Sequence, residues 1–228
     1  MSKNLLKRII TSIILLSLLF FINFSNKYIF IFSIYILGVI ICVEAYNMFL
    51  RLVGFKTFKN NTFKKFNIKF LILNLTSFLY VFFVFCNLSL EIHKLQGPVF
   101  FLYLICICIS TDIGGYVFGK IIGGKKLSNI SPNKTISGTI GSFLFSLVPL
   151  ILFSYFNYLD LEFNLLNITF ILLISLISQL GDLFVSYMKR KSKIKDTGKI
   201  LPGHGGVLDR VDGMIFAVPF SYFLLNII

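Results

Sequence analysis

Long apolar blocks separated by short polar breaks make up this chain. The apolar runs cover about residues 9–24, 28–50, 68–90, 98–118, 136–156, 164–188 and 214–228. Most approach the roughly 20 residues that a helix needs to cross a bilayer core, and the last lies near the lower limit. Inside hydrocarbon each span has to satisfy its own backbone, so the runs are predicted to be helices; a barrel would show period-two alternation instead of blocks. The expected fold is therefore all-α, a polytopic integral membrane helical bundle of about seven transmembrane helices. Lys3, Lys7 and Arg8 precede the first run. That run is long for a signal peptide and no A-x-A site follows it, which favours a retained anchor.

The breaks between the runs fix an orientation. With the N-terminus in the cytoplasm, every basic residue falls on the cytoplasmic side except Lys27 and Lys94. Such an asymmetry sets topology under the positive-inside rule and places the C-terminus outside. The same rule accounts for most of the formal charge of +13, which in a soluble protein would suggest nucleic acid. No nucleic-acid partner is expected here. Charged residues make up 14% and hydrophobic ones 57% of the chain, against about 25% charged in soluble domains. Cys42, Cys86, Cys106 and Cys108 all lie inside apolar runs and read as small buried hydrophobes, not as a metal site. Heavy use of Phe, Ile, Lys and Asn without Trp fits an AT-rich bacterial genome.

The chemistry gathers in one polar island, Gln179 to Gly213, which holds four of the nine carboxylates. On the sixth run Gln179, Asp182, Ser186, Lys189 and Arg190 recur at helical spacing and form one polar stripe, an acid deep and two bases at the water end. A carboxylate there can hold Mg2+, and Lys and Arg can hold phosphate oxygens. Asp209 and Asp212 are three apart and share a helix face; with Asp182 they could bind a divalent metal and leave room for phosphate. Pro202-Gly203-His204-Gly205-Gly206 is a glycine turn with backbone N–H groups open to close approach. His204 has no His or Cys partner nearby, so a loop-shaping or phosphate-contact role is favoured over metal ligation. The fourth run carries Asp112, Gly115, Tyr116 and Gly119 on one face, where the glycines admit a second helix or a substrate. Ser131, Lys134 and Thr135 open the fifth run, and amides at a helix start beside a lysine suit an anion, although a capping hydroxyl explains the pattern equally well. Glu44 is the remaining acid inside a run. Its polar neighbour at helical spacing is Asn47, and a carboxyl merely reaching for the interface is the favoured reading.

The segment from Ser186 to Asp212, with Lys189-Arg190, Lys195-Asp196, Gly198, Pro202-Gly-His204-Gly205-Gly206 and Asp209-Arg210-Val-Asp212, resembles the signature of the phosphatidate cytidylyltransferase (CDP-diacylglycerol synthase) family. Thr111-Asp112-Ile-Gly-Gly115-Tyr116 and Ile130-Ser131-Pro-Asn133-Lys134-Thr135 resemble two further blocks, so the similarity covers roughly residues 100–228. Gly115, Asn133, Ser137 and Val185 depart from the residues usual in that family. The resemblance implies an enzyme that condenses CTP with phosphatidic acid to CDP-diacylglycerol and pyrophosphate in phospholipid biosynthesis. It implies Mg2+ at Asp182, Asp209 and Asp212, with catalysis by these three and by Lys189 and Arg190. A second cation such as K+, or a substrate group, would belong to Asp112. Substrate would be held by Asp112, Tyr116, Ser131, Lys134, Thr135, Ser186, Lys195, Asp196, His204, Gly205, Gly206 and Arg210. The active site would face the cytoplasm from the bacterial inner membrane, and pairing into a homodimer is a family expectation. Residues 1–97 would be a scaffold for the lipid cleft and 98–228 the catalytic region with loops 119–135 and 189–212. A membrane lipid or polyprenol kinase using CTP, or a cytidylyltransferase for another lipid phosphate, would share the nucleotide site. A transporter or channel also carries acids in its spans, but not such an aqueous signature.

Overall fold

A computed structural model describes residues 3–53, 68–127, 134–159 and 161–227. The basic loop expected at 51–67 therefore lies mostly outside the described residues, as do Ser131, Asn133 and Asp160. The chain forms two compact units that interleave in sequence. Unit 1 comprises Met1–Cys86 and Met188–Val211, and unit 2 comprises Asn87–Tyr187 and Asp212–Ile228.

Unit 1 contains α1 (Lys3–Asn23), α2 (Lys27–Leu52), α3 (Ile68–Leu79) and a π-helical segment, Tyr80–Cys86. The Asn26 side chain starts α2 by accepting the Ile29 N–H at 3.0 Å, the job of an N-cap. One face of α2 (Phe30, Ile34, Ile41, Ala45 and Met48) is buried, and so are Val81, Phe85 and Cys86 of the π-helical segment. Gly38 makes the close approach possible, because a Cβ there would sit on the Cys86 sulfur. The Cys86 thiol donates to the Ile34 carbonyl at 3.6 Å. The four cysteines are all free; Cys86 and Cys108 are buried as expected, whereas Cys42 and Cys106 are only half-buried.

Unit 2 contains α4 (Asn87–Ile121), α5 (Ile136–Ser146), α6 (Val148–Tyr155), most of α7 (Leu165–Lys191) and α9 (Met214–Leu225). The connection expected at 91–97 is helical up to Gly97, which alone leaves helical geometry at φ 82. Glycine takes that φ freely, and Pro98 then restarts the helix where its missing N–H does no harm. Glycines line the contact of α4 with α5: a Cβ on Gly114 would meet the Gly141 carbonyl and Phe145, one on Gly115 would meet Ser142, and one on Gly141 would meet the Phe118 side chain. The glycine face of the fourth run thus receives a second helix, as small residues do in membranes. The buried Thr111 hydroxyl donates to Ser175 of α7 at 3.0 Å. Where α7 meets the start of α9, Gly181 lies against Phe216 and Gly213 against Ser178.

Among the described residues, four stretches are long and apolar enough to cross a membrane: Lys27–Leu52, Ile68–Ile121, Ile136–Tyr155 and Leu165–Lys191. Ile68–Ile121 runs for 54 residues, which at about 1.5 Å per residue is long enough for two crossings of a core roughly 30 Å thick. The apolar part of α1, Arg8–Asn23, is shorter. The α9 helix has only 12 residues, short of the ~20 a crossing requires. Large apolar side chains such as Ile13, Phe21, Phe32, Leu75 and Phe83 point outward, the arrangement of helices solvated by lipid. The protein is an all-α polytopic membrane protein, and the described helices do not establish a count of seven.

Candidate functional site

The part of the polar island from Met188 to Val211 belongs to unit 1 and forms the end of α7, the loop that follows it and α8 (Leu208–Val211). The last turn of α7 supplies Lys189, and α8 supplies Asp209. The Lys189 ammonium lies 2.9 Å from Asp209 Oδ1, with side chains only 10% and 4% exposed. The other oxygen, Oδ2, accepts the Thr197 N–H at 2.8 Å and the Gly206 N–H at 2.9 Å. Burial pushes the Asp209 carboxyl up, but the Lys189 hydrogen bond, the Gly206 N–H, the Lys189 charge and the Thr197 N–H together hold it below the usual carboxylate range. Asp209 therefore joins both ends of the loop to α7.

A second carboxylate meets the same loop from α2. Glu44 is 2% exposed. Its Oε2 accepts the Thr197 hydroxyl at 2.9 Å and the Leu208 N–H at 2.8 Å, and its Oε1 accepts the Val207 N–H at 3.1 Å. Gly198 and Gly206 pack so closely on this carboxylate that a Cβ on either would collide with it. Sequence reasoning left Glu44 and Thr197 out of the site. The polar spacing on α2 could not reveal a partner 153 positions away in the chain.

The glycine turn is braced from two sides. Leu201 and Gly205 form an isolated bridge, and Gly203 and Gly205 take φ 79 and φ 87. Arg210 donates to the His204 carbonyl at 2.9 Å. From α1, Arg8 Nε donates to the Gly203 carbonyl at 3.0 Å, and the Thr11 and Ser12 hydroxyls lie 2.6 and 3.3 Å from Nδ1 and Nε2 of His204. Burial lowers the His204 pKa, as do the Arg210 and Arg8 charges, while the Pro202 carbonyl opposes them. The His204 ring is thereby held between α1 and its own loop. Arg190 donates to the Ile194 carbonyl at 3.3 Å, which ties down the turn after α7. Lys195 and Asp196 are exposed.

The other expected site residues belong to unit 2. Asp182 accepts from Ser186 at 3.2 Å, and its second oxygen is paired with the Lys134 ammonium. The Thr135 side chain accepts the Gly138 N–H at 3.1 Å and so caps α5 itself; the capping reading, not an open anion site, describes this hydroxyl. Asp212 is 8% exposed and accepts the Gly213 N–H at 3.0 Å. Asp112 and Tyr116 face outward on α4, with Lys120 Nζ 5.6 Å from the centre of the Tyr116 ring.

Among the described residues no three His, Cys, Asp or Glu side chains cluster in a way that could hold a metal ion. Three of the expected carboxylates are engaged within the protein itself. Asp209 accepts three hydrogen bonds, one of them from the Lys189 ammonium. Asp182 is likewise paired with an ammonium, that of Lys134, and Asp212 accepts the Gly213 N–H; both are hard oxygen donors of unit 2, the ligand type magnesium takes.

Comparison with known proteins agrees with this signature. A profile described as "Cytidylyltransferase family" matches residues 45–228. The chain is 45% identical over 140 residues to the phosphatidate cytidylyltransferase of Bacillus subtilis (strain 168), an overlap of 60% of this chain and 51% of that protein. It is 47% identical over 137 residues to the phosphatidate cytidylyltransferase of Staphylococcus aureus (strain COL), covering 58% and 50%. The protein of that name from Staphylococcus haemolyticus (strain JCSC1435) is 45% identical over 138 residues, 58% of this chain and 50% of its own. The chain spans about half the length of the curated relatives it matches.

Proposed function

This chain belongs to the cytidylyltransferase family, and we propose that it transfers the cytidylyl group of CTP to phosphatidic acid. An oxygen of the lipid phosphate attacks the α-phosphorus of CTP, the bond from that phosphorus to the β-bridging oxygen breaks, and pyrophosphate leaves with the electron pair. The lipid phosphate is already anionic, so little general-base help is required; the difficulty is to bring two anions together and to stabilise the leaving charge. The observation that carries the reading is the signature loop of unit 1, whose base is held by two buried carboxylates while Lys195 and Lys199 stay exposed.

The residues divide the work. Lys195, Lys199 and Arg210 lie on the exposed side of the loop and attract the triphosphate and lipid phosphate. Lys189 and Asp209, an ion pair whose charges cancel, hold the loop's shape. Magnesium, when bound at Asp182 and Asp212, would neutralise phosphate charge, with Asp112 available to a second cation. The loop, together with the N-terminus, is assigned to the cytoplasmic face, where CTP arrives from water while acyl chains remain in lipid.

The test is release of pyrophosphate from CTP and phosphatidic acid in detergent micelles. The wild-type protein is expected to release it, and Lys195→Ala to raise KM for CTP about 10–100-fold, the value of a hydrogen bond to a charged group. CTP consumed without pyrophosphate would mark a kinase or hydrolase instead. A folded wild-type protein that leaves CTP untouched would overturn the assignment.

A further inference from the structure

We propose that Glu44, which lies on α2 far outside the signature segment, is a positioning residue for the transfer reaction: it sets the loop that presents Lys195 and Lys199. This inference rests on the reading of the loop as the transfer site.

The geometry is specific. Thr197 is held twice, its N–H by Asp209 and its hydroxyl by Glu44. On the returning strand of the loop, Asp209 takes the N–H of Gly206 while Glu44 takes those of Val207 and Leu208. The two acids thus close the base of one loop, Asp209 tying it to α7 through Lys189 and Glu44 tying it to α2. Lys195 and Lys199 stand two residues to either side of Thr197, so a shift of Thr197 moves both. A polar acid fully buried beside an apolar helix is costly unless its oxygens are satisfied. Here three donors satisfy them, and two glycines yield the space. A displacement of about 1 Å in a group that positions substrate can lower a rate about 100-fold. Glu44 need not touch substrate to have such an effect.

Glu44→Gln keeps the shape but turns one acceptor into an N–H2 group facing a backbone N–H. It is expected to lower kcat/KM for CTP about 30-fold and to raise KM for phosphatidic acid as well, since the same lysines face both anions. Thr197→Val, which removes a single hydroxyl, is expected to cost about fivefold. The double variant is expected to lose no more than Glu44→Gln alone within about twofold, because both changes open the same clamp. A second readout needs no activity: trypsin cleavage after Lys195 and Lys199 in detergent should accelerate about tenfold in both single variants, while cleavage elsewhere stays as in the wild type. Multiplying single effects, unchanged loop cleavage, or a Glu44→Gln enzyme within twofold of wild type would overturn the inference. If Glu44→Gln does not fold, Thr197→Val decides through its loop cleavage. A wild-type protein inactive on CTP would overturn the reaction assigned above, and the cleavage comparison would still judge the clamp.

Discussion

The two imidazole nitrogens of His204 both face hydroxyls, and two guanidinium groups lie near the ring. This environment has a measurable pH signature. The folded pKa lies below the ordinary value of about 6.5, so just below that pH the unfolded chain takes up a proton that the folded one refuses. Stability is then fully present above about pH 6.5 and falls as the pH drops toward the folded pKa. The thermal midpoint in detergent should decline from pH 7.5 to 5.5 in the wild type and decline less in His204→Gln; equal slopes would remove His204 as the cause. Asp209 gives a sharper case. Asp209→Asn keeps the volume but leaves the Lys189 ammonium buried against an amide. Breaking such a pair costs about 3–5 kcal/mol, which denaturant titration should register as an earlier midpoint at unchanged slope.

Among the helices, the α4–α5 contact depends on close approach. Gly114→Ala would place a methyl on the Gly141 carbonyl and on Phe145, and since a backbone carbonyl has no rotamer to retreat into, overpacking of about 1–3 kcal/mol is expected. At about 2–4 °C per kcal/mol for a chain of this size, a thermal scan would show it; an unchanged midpoint would mean the helices separate freely. Such elements were largely legible in the sequence. Hydropathy blocks located α2, α7 and the end of α1 to within a few residues, because a span in lipid is marked by composition alone, while the basic first turn of α1 from Lys3 lay outside the block. The π-helical segment Tyr80–Cys86 and the persistence of α4 through Glu91 left no such mark. Polar residues at 91–96 look like a loop, yet Glu91 and Lys94 can pair along a helix at 3.7 Å, and only Gly97 breaks it.

Over the molecule as a whole, the same-sided grouping of Arg8, Glu44 and the signature loop within unit 1 matches the charge asymmetry of the sequence. If that side is cytoplasmic, a cysteine placed at Lys195 should react with an impermeant thiol reagent only in inverted vesicles, and one at Lys94 only in right-side-out ones; the opposite pattern would reverse the assigned topology. The signature residues were readable because their chemistry is local: spaced acids, paired bases and a glycine turn. Their division of labour was not. The three donors to Asp209 leave no mark in the sequence, and Glu44 looks idle because its partners are distant along the chain. The crowding of Gly198 and Gly206 against that acid has a genetic consequence. In a Glu44→Gly parent the space beside Gly198 is vacated, so alanine at 198 should pass from forbidden to tolerated, while alanine at 206 still meets the Thr197 hydroxyl. A suppressor screen begun from that parent would recover changes in the signature segment that the parental chain rejects.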